Sequence, residues 1–218
     1  MTKPVIIIGG GGHAKVLVDC LNTLRVPILG VTDPKLKVGE KVFGVLEVLG
    51  SDDIIFDHSP DEIELVNGLG SIPGNALRTK IFREFDSKGY TFKTIINHSA
   101  IVSNDSILSD GAQVMAGAII QPGTVIENNV IINTGVIVDH DCIIGENSHI
   151  APGAVVSGGV HIGSSVHIGT GATIIHSIEI GENSIVGAGA VITKNVGVNK
   201  IVYPARSVTM ALKEGNDG

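Results

Sequence analysis

The chain has no tryptophan and only 3% aromatic residues, so its interior must be narrow and filled by aliphatic side chains. Its two cysteines, Cys20 and Cys142, lie far apart and form no C-x-x-C or metal-ligand pattern, which argues against a disulfide framework. No run approaches eighteen consecutive apolar residues, and Met1 to Val5 is too short and polar to open a secretory signal, so no membrane insertion and a cytoplasmic location are expected. Positive charge is also scarce. With 15 Lys and Arg against 22 Asp and Glu, the formal charge of −7 argues against nucleic-acid binding, although a local basic patch could still receive a phosphorylated ligand. What the chain does have is glycine, 29 in 218 residues, and a hydrophobic fraction of 43%, enough for one or two domains with a core and many tight turns.

Between Val102 and Ile192 every sixth residue is apolar, through Leu108, Val114, Ile120, Ile126 and on to Val186, sixteen positions without a miss. Four residues after each stands an often small one, such as Ala112, Ala118, Thr124, Cys142, Ser148, Ala154, Ala172, Ser184 or Ala190. A period of six fits neither the 3.6 of a helix nor the 2 of a half-buried strand, so this is an array of short repeats that must stack to bury anything. Gly145, Gly163, Gly169, Gly181 and Gly187 directly follow apolar positions, where the backbone has to turn a corner. Val198 still falls on the period, and Pro204 ends it.

The first 95 or so residues read as a small open α/β unit. Val5 to Ile8 is a strand, Gly9 to Ala14 a glycine turn, and Ala14 to Leu24 an amphipathic helix with Val16, Leu17, Cys20, Leu21 and Leu24 on one face. A second strand, Ile28 to Thr32, delivers Asp33. Glu62 to Val66 and Phe92 to Ile96 read as further strands, and Pro73 to Lys88 as a helix with Ala76, Leu77, Ile81, Phe82 and Phe85 on its apolar face. Gly9, Gly11 and Ala14 satisfy the G-x-G-x-x-G/A spacing, whose N–H groups at a helix N-terminus favour a phosphate, and Asp33 stands where an acid could meet a ribose hydroxyl. A plain structural crossover, with Asp33 starting the Asp33-Pro34 turn, explains the same residues. A nicotinamide dehydrogenase fits poorly, because the segment is about half a dinucleotide-binding fold and the remainder is an all-β array.

The repeats resemble those of the hexapeptide-repeat acyltransferases, in which three hexads make one triangular coil of a left-handed parallel β-helix. The resemblance implies an α/β Rossmann-like domain over 1–96 followed by an all-β left-handed β-helix over 97–218, with a little over five coils from the sixteen hexads and a closing segment at Tyr203-Pro204-Ala205-Arg206. Residues eighteen apart would then stack at roughly 4.8 Å. His149 falls one coil from His167, and His140, Gly158 and His176 form one column. His140 beside Asp141 is the minimal general-base unit, because a carboxylate can hold the imidazole tautomer and stabilise the imidazolium. The competing reading is a pair of solvated corner residues.

Over nearly its whole length the chain is similar to the nucleotide-sugar N-acetyltransferases of the bacillosamine pathway and to the sialic acid O-acetyltransferases. In that family a histidine and an acid, set after an Asn-Thr stretch and followed nine residues later by a second histidine, mark the active site; here these are His140, Asp141, Asn133 and His149. Asp141 departs from the more usual Glu. The resemblance implies direct transfer from acetyl-CoA in a homotrimer with sites between subunits, without a metal, in bacterial glycan synthesis. His140 and Asp141 would be the base pair and Gly158 the oxyanion donor. Asn133 and His149 would position the reactants. Gly11, Gly12, His13 and Asp33 would hold the nucleotide sugar, and Gly169, Thr170, Gly187, Ala188 and Lys194, with Arg206, the CoA. The favoured acceptor is a UDP-4-amino-4,6-dideoxy-N-acetylhexosamine; O-acetylation of sialic acid is the alternative. A zinc hydrase of the γ-carbonic anhydrase type shares the β-helix, but His140 and His176 lack the third histidine, since positions 171 and 181 are glycine. A non-catalytic scaffold is the remaining alternative.

Overall fold

The computed structural model describes residues 2–205 and contains two stacked units. In the first, a parallel sheet is built on β1 (Val5–Ile8), flanked by β2 (Ile28–Thr32) and β5 (Glu64–Asn67). β3 (Lys41–Val42) and β4 (Leu46–Gly50) extend the edge beyond β2, giving the order β3-β4-β2-β1-β5. All of β1 is buried, because helices or turns cover both faces, which is why it reads as an unbroken apolar run.

Helix α1 (Gly12–Thr23) buries Ala14, Leu17, Val18, Cys20 and Leu21. Val16 and Leu24, assigned to the apolar face from sequence, are instead 48% and 40% exposed, because only the stripe at 14, 17, 18 and 21 points at the sheet. Helix α2 (Leu77–Asp86) starts four residues later than the expected Pro73. Gly74 adopts φ +78° and Asn75 accepts a hydrogen bond from the Leu77 N–H through Oδ1, so 73–76 is a turn that leaves Ala76 and Leu77 exposed. The run around Ile54 is a 3-10 helix, Asp52–Asp57. Of the expected strand Phe92 to Ile96 only Ile95–Ile96 is regular, with Phe92 bridging Leu65.

Ile95–Ile96 already belongs to the second unit, a three-walled parallel solenoid whose strands are all two residues long. The first wall runs from Ile101–Val102 through Ile137–Val138 to Val191–Ile192. The second runs from Ile107–Leu108 through Ile143–Ile144 to Glu179–Ile180, and the third from Ile95–Ile96 through His149–Ile150 to Ile201–Val202. Register is eighteen residues per coil, as in Ile119 opposite Ile137 and His149 opposite His167. Fourteen of the sixteen periodic residues are buried, each worth about 1.5–3 kcal/mol of gross hydrophobic stabilisation. Val102 and Leu108 are half-buried against the same core.

The period outruns the structure at Val198, which is 57% exposed. The last coil is two residues short, with Ile185 paired to Ile201 and Ile180 to Val196, and this shifts Val198 out of the column. The corner glycines behave as expected. A Cβ on Gly145 would come within 2.6 Å of Gly163 backbone, and one on Gly169 within 2.5 Å of the Ala188 nitrogen, so glycine is required there for clearance between coils.

Candidate active site

His140 and Asp141 stand on the corner between the first and second walls. Asp141 adopts φ +58°, a left-handed turn conformation that Asp tolerates. The turn folds its carboxylate back on its neighbour, so that the His140 Nδ1–H donates to Asp141 Oδ2 at 2.8 Å. This leaves Nε2 as the basic nitrogen. The pair is solvent-exposed, and the Asp141 hydrogen bond, followed by the nearby Asp139 charge, raises the His140 pKa above its ordinary value.

Eighteen-residue stacking brings Gly158 to the ring as expected. A Cβ there would lie 2.6 Å from His140 Nε2, so the imidazole occupies the space a side chain would take. The ladder engages Ser157 N–H with Ile174 O and Gly159 N–H with His140 O, and leaves the Gly158 N–H between them unused by backbone. A free donor beside the basic nitrogen is what an oxyanion site requires.

Asn133, on the corner between the third and first walls, meets His149 of the third wall. Asn133 Nδ2–H donates to His149 Nε2 at 3.0 Å, which places the His149 proton on Nδ1. His149 packs edge-on against His167 with ring centroids 4.9 Å apart. Burial, together with the neighbouring His167, His13 and Arg78, lowers its pKa to about 3, so it is a neutral hydrogen-bonding group. Asn133, Ala151, Gly169 and Gly187 follow one another at eighteen-residue steps down this corner, with Thr170 and Ala188 exposed beside them. Lys194, also exposed, lies just after Ile192, in the corner where the last coil loses two residues. Arg206 lies outside the described residues. Within one chain the first wall therefore separates the His140–Asp141 pair from Asn133 and His149.

At the glycine turn, no atom lies within 4 Å of where a Cβ on Gly11 or Gly12 would stand, and α1 has neither a side-chain cap nor an acidic first turn. The first N–H groups of the helix are therefore left without a side-chain acceptor, as an anion site needs. The His13 side chain turns elsewhere, donating from Nε2 to Gln113 Oε1 of the solenoid at 2.7 Å, while Gln113 Nε2–H donates to Asn67 O. Only its backbone N–H remains for a phosphate. Burial and then the Arg78 charge lower the His13 pKa to about 4. Asp33 accepts from the Gly10 N–H through Oδ2 and from the Lys35 N–H through Oδ1, both at 2.9 Å, and lines a cavity of about 160 Å³ with Thr32, Asp52, Leu69 and Ile81.

Sequence reasoning missed Arg78. Buried at 3% exposure, it donates to Asn67 O and Leu69 O in the first unit and to Asn129 O in the solenoid, locking the two units together beside His13. An arginine at the start of an amphipathic helix carries no signal of this kind. Among the described residues no group of three His, Cys, Asp or Glu side chains could hold a metal ion, and no helix is long and apolar enough to cross a membrane.

Family profiles match the two units separately: the PglD N-terminal domain over residues 4–85, and the bacterial transferase hexapeptide (six repeats) over residues 123–158 and 159–194. Among solved structures, PerB from Caulobacter crescentus in complex with CoA and GDP-perosamine is 34% identical, with a TM-score of 0.81 over 92% of this chain and 94% of that one. The chain belongs to the PglD family of hexapeptide-repeat sugar acetyltransferases. The acetyltransferase domain of PglB from Neisseria gonorrhoeae in complex with acetyl coenzyme A is 30% identical, with a TM-score of 0.84 over 95% of this chain and all of that one (100%). WeeI from Acinetobacter baumannii, at 23% identity and a TM-score of 0.74, shares the fold. No curated protein matches the sequence. The solenoid of this acetyltransferase is thus the left-handed β-helix of its family, carried behind a Rossmann-like domain.

Proposed function

We propose that the chain transfers acetyl from acetyl-CoA to the amino group of a nucleotide-linked aminosugar, with His140 Nε2 as general base. The observation that carries this reading is the His140–Asp141 pair, whose hydrogen bond fixes the tautomer and leaves Nε2 against Gly158, in the space a side chain there would fill. As the amine attacks the thioester carbonyl, a C–N bond forms and the amine proton passes to Nε2. The Gly158 N–H meets the developing oxyanion. The C–S bond then breaks, the imidazolium returns the proton to the departing sulfur, and the products are the N-acetyl sugar and CoA. Asn133 and neutral His149 hydrogen-bond and orient the acetyl group or acceptor. Gly11, Gly12 and the His13 backbone receive the diphosphate, and Asp33 the ribose or base. Gly169, Thr170, Gly187, Ala188 and Lys194 receive the CoA.

The two corners reach one reaction centre when copies of the chain associate, which supports a homotrimer with shared sites. The outer face of the first wall fits such an association: Ile101, Ile137 and Val191 are exposed at 65%, 37% and 64% between the two corners. The family resemblance favours UDP-4-amino-4,6-dideoxy-N-acetylhexosamine, made for bacterial glycan synthesis in the cytoplasm, while the Caulobacter relative was solved with GDP-perosamine.

The test is CoA release by purified protein given acetyl-CoA and, separately, a UDP-4-aminosugar, a GDP-aminosugar and free sialic acid. Turnover on a nucleotide aminosugar is expected, strongest with UDP, and His140→Ala should lower it by roughly 10²–10⁴-fold. Activity on free sialic acid alone would replace this reading with O-acetylation.

A further inference from the structure

The coil preceding the base pair holds a glycine that its own backbone does not require. Gly123 lies one coil before Asp141 and turns the corner at φ +73°. A left-handed turn alone would accept other residues, since six equivalent corner positions, Asn129, Asp141, Asn147, Ser165, Ser177 and Asn183, adopt φ between 56° and 62°. What distinguishes Gly123 is its surroundings. A Cβ there would lie 2.5 Å from Asp141 Oδ1 and 3.4 Å from Asp141 Cγ. Gly117, at the equivalent turn one hexad earlier with φ +67°, has nothing within 4 Å.

We propose that Gly123 is a positioning residue: its missing side chain leaves the slot in which the Asp141 carboxylate lies flat against the preceding coil and reaches His140 Nδ1. Gly158 does the same for the ring from the following coil, so the base pair sits between two glycines eighteen residues to either side of its own members. Any side chain at 123 displaces the carboxylate, which is the only partner of Nδ1 among the described residues. The charged groups around the ring are Asp139 and Asp141 on its own corner. The preceding coil offers Gln121, Pro122 and Gly123 and the following one Ser157, Gly158 and Gly159, none of them titratable.

This inference rests on His140 acting as the base. The test compares Gly123→Asn, whose new residue accepts the left-handed turn, with Gly117→Asn and Asp141→Asn in the acetyl-transfer assay across pH. Gly123→Asn should lower kcat at least about tenfold, part of the roughly 10²–10⁴ a positioned base supplies. Both KM values should hold, and the acid limb should move to lower pH, as it does for Asp141→Asn. Gly117→Asn should match the parent. In an Asp141→Ala background, where the colliding atoms are gone, Gly123→Asn should cost nothing further in kcat or Tm, and this holds the test open even if the single variant does not fold. Gly123→Asn behaving like Gly117→Asn, or being equally harmful with Ala at 141, overturns the proposal. If Asp141→Asn itself leaves kcat and pH profile unchanged, the base assignment fails and takes this inference with it.

Discussion

A carboxylate one residue from a histidine is common on protein surfaces; here the coil makes it specific. Because Asp141 raises the His140 pKa, the acid limb of kcat for the parent enzyme should lie above the ordinary histidine value of about 6.5. Asp141→Asn should move that limb down and lower kcat, because a less basic Nε2 is deprotonated at lower pH but accepts the amine proton less readily. A pH–rate profile checks both, and an unmoved limb would show that Asp141 does not act on the base. The motif His140-Asp141 was legible in the chain, and the stacking of Gly158 followed once the family resemblance supplied three hexads per coil. The role of Gly123 was not, since glycines recur at turn positions throughout the array and only three-dimensional clearance separates Gly123 from Gly117.

At the scale of elements, the six-residue period revealed the solenoid and its core, and strand register follows it from Ile95 until the last coil shortens. Leaving out two residues of that coil is invisible in the pattern, because Val198 is apolar and still on period. In the α/β unit the differences are the start of α2, where the Gly74-Asn75 turn overrides composition, the exposed Val16 and Leu24 on α1, and the irregular backbone between Phe92 and Ile95. Arg78 gives the sharpest energetic prediction for the junction. Arg78→Met leaves the Leu69 and Asn129 carbonyls without its donors, while Asn67 O keeps Gln113; each unsatisfied buried carbonyl costs about 1–3 kcal/mol, so chemical denaturation should show marked destabilisation. Ile150→Ala, opening a cavity in the solenoid core, should cost about 2–5 kcal/mol by the same measurement. A neutral result for Arg78→Met would mean that the two units hold together without it.

For the whole molecule, buried histidines set the pH dependence of stability. His13 and His149 have folded pKa values lowered to about 4 and about 3, below the roughly 6.5 of an unfolded chain. The unfolded state therefore binds more protons than the folded one between these values, and stability falls as pH drops from about 6.5 towards 4. A Tm that stays flat from pH 7 to 4.5 would contradict the burial of these neutral imidazoles. The larger question is whether one site draws on two copies of the chain, since the first wall separates His140 from Asn133 within each. The most direct measurement pairs His140→Ala with Asn133→Ala, each expected to be nearly inactive alone, in hybrids purified through two different tags. A shared site predicts that hybrids recover a substantial fraction of wild-type acetyl transfer, because some interfaces carry both an intact His140 and an intact Asn133. Hybrids no more active than either parent would place the reaction within a single subunit and contradict the assembly of the site from two corners.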